Sequence, residues 1–300
     1  MAIIITCFHV INDRASNKIE NMPVSIIYID NKFDTKIKKK ITFALNTVKI
    51  FFMGRIIEIC ANSAWSCLEA EKGGAHRVEL CAGIPEGGTT PSYGEILTAQ
   101  KLTSGIDINV IIRPRGGDFL YASVEVEAML SDIEMAKQLK VHGVVFGCLT
   151  EKGDINVALM RHLIDAAKPL SVTCHRAFDV CRDPFTALGQ LIDLGCDRIL
   201  TSGQQPDAVK GIPLIKELIK RAGDRIIIMP GCGVREDNIA RIETETGAKE
   251  FHASARSIVY SKMEYRYENV PMGSSVVTSE FETVQTDRDI VSRLLLAVNS

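Results

Sequence analysis

No Cys-x-x-Cys pair and no Cys/His spacing of the zinc-finger type occurs in this sequence, although it contains nine cysteines. Nine is odd, so the thiols cannot all pair. Scattered as they are, they point to a reduced, cytoplasmic protein in which an isolated cysteine is ordinarily a small buried apolar side chain. Aromatic residues are scarce: one Trp and six Tyr leave no expected stacking platform for nucleic-acid bases. Neither sign of charge dominates, with 35 basic and 37 acidic residues and a formal net charge of -2, which gives no electrostatic case for nucleic acid or an acidic membrane surface. Apolar runs at residues 3–11 and 41–52 are poor membrane or secretion signals. The first is too short to span a bilayer; the second is broken by Asn46, Thr47 and Lys49 and lacks a small-residue cleavage pattern. A dinucleotide fingerprint is also missing, because the nearest candidate, Gly231-Cys232-Gly233, has Glu236 where a third glycine would stand.

What is present divides into two parts. Residues 1–52 are dense in Ile, Lys, Asn and Phe, hold one Pro and no Gly, and carry no recognisable site. They are expected to be an extension or translated upstream sequence with little contact to the rest. The remaining 248 of the 300 residues match the roughly 250 of an eight-fold β/α barrel. Within them, apolar runs at 56–60, 77–81, 108–112, 143–149, 170–176, 198–203, 225–233 and 250–256 alternate with helix-sized segments. Eight short apolar strands separated by amphipathic segments predict an α/β protein with a parallel sheet closed into a (β/α)8 TIM barrel. Residues 257–286 are polar and are expected to cover an end of the barrel, and 287–298 read as a final helix.

Strands one and two both end in Glu-x-Cys, as Glu58-Ile59-Cys60 and Glu79-Leu80-Cys81. Side chains alternate along a strand, so each carboxylate should share a face with its thiol, and the parallel crossover should place the two pairs side by side. The two thiols would suit a soft ion such as monovalent copper, with His175 or His252 as auxiliary ligands, and the adjacent carboxylates would raise each other's proton affinity. Further polar residues collect where a barrel keeps its functional groups, at the C-terminal strand ends. These are Arg113, Arg115 and Asp118, then His175, Arg176 and Asp179, then Thr201 and Ser202, then His252, Ser254 and Arg256. Two readings beside metal binding follow. Glu58, Glu79 and His175 could serve acid-base catalysis, with the arginines stabilising a developing anion. Gly231, Gly233, Ser254 and Arg256 stand where many such barrels hold a phosphate. The plain alternative to all three is a structural ion-pair network, since charged side chains in apolar strands need partners.

The ordered series Glu58-Ile59-Cys60, Arg77-Val78-Glu79-Leu80-Cys81, Glu86-Gly87-Gly88-Thr89-Thr90-Pro91-Ser92, Ile112-Arg113-Pro114-Arg115-Gly116-Gly117-Asp118-Phe119, His175-Arg176-Ala177-Phe178-Asp179 and Leu200-Thr201-Ser202-Gly203 resembles the CutC copper homeostasis family from about Met53 onward. The resemblance implies a β/α barrel, a cytoplasmic location, a homo-oligomer and a role in copper binding, with Cys60 and Cys81 matching the proposed copper ligands. Cys174 and Cys232 depart from the family pattern and are candidates for further thiolates or for packing. The alternative function is a barrel enzyme acting on a small anionic or phosphorylated substrate.

Overall fold

A computed structural model describes residues 55–299 apart from 268 and 271–278; the expected extension over residues 1–52 lies outside the described residues. Eight strands run in parallel: β1 Ile56–Ala61, β2 Arg77–Leu80, β3 Asp107–Ile111, β4 Gly143–Phe146, β5 Ser171–Cys174, β6 Arg198–Thr201, β7 Ile227–Pro230 and β8 Glu250–Ala253. The hydrogen-bonded order is β7-β6-β5-β4-β3-β2-β1-β8, and β7 lies beside β8 to close the ring. Helices return the chain between strands: α1 Ala64–Lys72, α2 Tyr93–Leu102, α3 Ser123–Gln138, α4 Val157–Ala167, α5 Pro184–Leu194, α6 Ile212–Ala222 and α7 Ile239–Thr246. This is the (β/α)8 barrel that the strand count predicts.

Local chemistry explains the element ends. The Ser63 and Ser92 hydroxyls accept the Ser66 and Glu95 backbone N–H groups that α1 and α2 would leave orphaned. Asp183 does the same for α5, with Pro184 in the first turn where its missing N–H costs nothing. Outward strand residues such as Ile57, Ile59, Val78, Leu80, Val110 and Phe146 are fully buried against the helices. Cys67, Cys148, Cys174, Cys181 and Cys196 belong to that same apolar layer. Cys174 is therefore a packing residue beneath the helices and supplies no thiolate to the mouth.

The alternate residues face inward. Arg77 Nη2 approaches Met229 Sδ at 3.5 Å across the barrel. A Cβ on Gly231 would lie 2.4 Å from Leu200 Cδ1 and 3.2 Å from His252 Cβ, so a side chain there would have to displace its neighbours. Low in the barrel, Arg77 reaches Glu58 and Glu250 at 2.5 Å each, and Arg198 reaches Glu250 at 2.7 Å. Asn109 Nδ2 donates to Glu58 at 3.4 Å. A polar network thus fills the interior.

Past β8, in the stretch expected to cover an end of the barrel, Arg256–Tyr260 (β9) and Glu282–Thr286 (β10) pair as an antiparallel ribbon before the last helix, α8 Arg288–Val298. Asn62 Nδ2 donates to Val284 O at 2.6 Å, and Thr286 N donates to Ser66 Oγ at 3.1 Å. These bonds tie the ribbon to the start of α1, just beyond the end of β1.

Candidate functional site

The β1–β2 register sets the site. Glu58 is opposite Arg77, and Cys60 is opposite Glu79. The expected side-by-side carboxylates therefore do not form; β2 is displaced so that Glu58, 1 % exposed, gains a guanidinium instead of a like charge. On its other side Glu58 meets β8, where His252 Nδ1 donates to its Oε1 at 2.8 Å. Burial works to raise the Glu58 carboxyl, but Arg77 and His252 prevail and hold it at about 2. His252 goes the other way. Burial would lower it, yet its contacts with Cys60 and Glu58 and the field of Glu79 keep the imidazolium charged well above the usual range.

Above this pair sit the thiols. Cys60 and Cys81 sulfurs are 4.0 Å apart, and Cys81 Sγ lies 3.4 Å from Glu79 Oε2. Donor atoms of Cys60, Glu79 and Cys81 all lie within 4.8 Å of one another. Arg256, held over β1 by the ribbon, brings Nη2 to 3.1 Å from Cys60 Sγ. A hydrogen bond from Cys81, with His252 and Arg256 nearby, pulls the Cys60 thiol well below its ordinary range, whereas sharing that bond and burial push Cys81 well above it. Of the two sulfurs, Cys60 is thus the one that gives up its proton more easily. Burial, with the Cys60 and Glu58 charges adding, raises the Glu79 carboxyl to about 8 despite His252.

The other predicted residues fall into separate groups. Arg113 and His175 meet around Phe119, whose ring centre is 4.8 Å from the imidazole and 5.1 Å from the guanidinium carbon. Arg176 donates to Asp179 at 2.7 Å and to Ser202 Oγ at 2.9 Å; Asp179 also accepts from Thr201 Oγ1, Ser202 N and Gln204 N. That carboxylate organises the loop after β6. Arg115 pairs with Asp118 and Glu125 at the exposed start of α3. Gly231 gives room to His252, Gly233 turns the chain at φ +73 beside Asp207, and Ser254 is exposed. Cys232 donates to Pro206 O at 3.2 Å in that same turn.

Arg77, Arg198, Glu250 and Asn109 complete the interior, and sequence reasoning passed over them as polar strand starts. The signal was the alternation itself. Arg77 shares a face with Glu79 and Cys81, and Glu250 with His252.

His175 makes a pH prediction. Burial, with the Arg113 charge adding, lowers its pKa from 6.5 to about 3. The unfolded chain takes up this proton below the ordinary histidine value while the folded chain refuses it. Stability is therefore lost as pH falls below that value, by about 2 kcal/mol between pH 7 and pH 5. In denaturant titrations, His175→Gln should lose about that much less over the same interval. An unchanged pH slope would contradict the burial of a neutral imidazole.

A model of the CutC family matches residues 55–257. The chain belongs to the CutC family. A family protein CutC of Parabacteroides distasonis is 83% identical over 239 residues, covering 80% of this chain and 98% of the relative. The Homo sapiens copper homeostasis protein cutC homolog is 49% identical over 234 residues, covering 78% and 85%. A solved CutC structure from Streptococcus agalactiae has 37% identity and a TM-score of 0.65, covering 67% of this chain and 98% of that one. Every CutC residue described above at the thiol pair, from Glu58 to Arg256, lies inside the matched span. Among the described residues, no helix is long and apolar enough to cross a membrane.

Proposed function

We propose that this protein acts in copper homeostasis by holding a monovalent copper ion between Cys60 and Cys81 at the barrel mouth, with Glu79 as a neighbouring oxygen donor. One observation carries the reading: the two sulfurs stand 4.0 Å apart. Two thiolate–metal bonds of ~2.3 Å span up to ~4.6 Å, so both sulfurs reach a single ion. Thiolates select monovalent copper among common ions, while a closed structural zinc site calls for four ligands and only three donors gather here among the described residues. Arg256 and His252 beside Cys60 make its proton the easier one for the ion to displace, and the Cys81 proton is the harder. The copper homeostasis names of the mammalian relatives support the same role. Thiolate binding requires a reducing compartment, in keeping with the cytoplasmic location expected from the cysteine usage.

X-ray absorption on protein loaded anaerobically with one equivalent of monovalent copper tests the ligand set. A first shell of two sulfurs is the expected result. A shell of nitrogen and oxygen alone would overturn it.

A further inference from the structure

The Arg113 guanidinium is 5 % exposed, and its partners among the described residues are backbone carbonyls: Nη1 donates to Glu86 O and Gly88 O, Nη2 to Gly117 O, each at 2.8 Å. Of its five N–H groups, that leaves one on Nη2 and the Nε–H, and the Nε atom is buried without a partner. His175, 4 % exposed, is in the same condition. Its Nδ1 accepts from Ala177 N at 3.2 Å, which puts the ring proton on Nε2, and Nε2 is also buried without a partner. Gly147, just past the end of β4 between them, has no side chain that could accept from either. The Tyr121 hydroxyl, two residues past Phe119 on the same loop, lies near the Arg113 guanidinium but is uncharged, so it leaves the Arg113 charge uncompensated. Buried donors are nearly always satisfied, and a buried cation without a counter-charge is costlier still.

We propose that Arg113 and His175 form a binding site for a small carboxylate at the barrel mouth, distinct from the thiol pair. One negative charge is what the site lacks. His175 is neutral at pH 7, so Arg113 is the charged member of the two, which fits a monoanion better than a phosphate dianion. A carboxylate oxygen accepts from two donors readily, and hydrogen bonds to charged groups are the stronger kind. Phe119, packed against both donors, gives the ligand an apolar wall for a short tail. Gly88 links the two sites: its carbonyl holds Arg113, and a Cβ on it would be 3.5 Å from Cys81 Sγ.

The test uses metal-free, full-length protein labelled with nitrogen-15 at histidine, so its outcome is independent of copper binding. The His175 Nε2–H signal is assigned by its loss in His175→Gln, then followed as acetate replaces chloride at constant ionic strength. A saturable shift of that signal is expected with acetate, with inorganic phosphate giving none. Arg113→Lys should weaken acetate binding about tenfold or more. If that variant does not fold, the wild-type comparison decides alone. An unmoved His175 signal, an equal response to phosphate, or wild-type affinity in folded Arg113→Lys would overturn the proposal.

Discussion

Replacing Glu250 with alanine is expected to destabilise the fold by about 3–5 kcal/mol. Glu250 is 6 % exposed and holds Arg77 Nη2 at 2.5 Å and Arg198 Nε at 2.7 Å. Without it, Arg77 keeps Glu58, a carboxylate already shared with His252. Arg198 is left with the Ser171 and Thr173 hydroxyls at 3.3 and 3.4 Å, which bring no charge. Arg198 would then be a buried guanidinium with no carboxylate, and Arg77 would keep only one that His252 also uses. Desolvation makes such a remainder costly even where the intact network contributes little net stability. Glu217→Ala is the matched control. Its pair with Arg221 lies in the open, at 38% and 50% side-chain exposure, and its loss should leave the stability nearly unchanged. Denaturant unfolding of both variants measures the difference; comparable small losses would mean that the interior network is better hydrated than its burial indicates.

The fold was legible in the sequence because eight apolar runs separated by helix-sized segments leave few ways to bury every strand on both faces. The Tyr93–Leu102 helix was the one sequence reasoning passed over, since the glycine- and proline-bearing stretch before it reads as loop. Its start is nevertheless marked by Ser92 and Glu95 three residues later. Which residues share a face was also readable, because alternation along a strand is strict. Register between strands was not. Glu58 and Glu79 occupy equivalent places in two similar motifs, and only the need of a buried carboxylate for a counter-charge shows that Arg77, and not Glu79, must be the neighbour of Glu58. The place of Arg256 was hidden for another reason. It looks like the end of strand eight, but the chain turns at Ala255, with φ +45, and Arg256 opens a ribbon that carries it over Cys60. Pairing of segments some twenty residues apart, on either side of a polar stretch, leaves no local pattern to read.

Cys60→Ser and Cys81→Ser are each expected to weaken monovalent copper binding by more than the ~10–100-fold that losing a supporting outer-shell contact costs. Serine keeps the size of the side chain but offers a hard oxygen that monovalent copper binds poorly. The two variants should differ. Loss of Cys60 removes the sulfur whose proton its neighbours make easier to displace, whereas in Cys81→Ser the serine hydroxyl can still donate to Cys60 in place of the thiol, so the first should be the weaker binder. The decisive measurement is an anaerobic competition titration of wild type and both variants against a chromophoric monovalent-copper chelator, with circular dichroism showing that each variant is folded. One tightly held equivalent in the wild type, lost in both variants and more completely in Cys60→Ser, is the predicted result. Wild-type affinity in the two folded variants would contradict copper ligation by this sulfur pair.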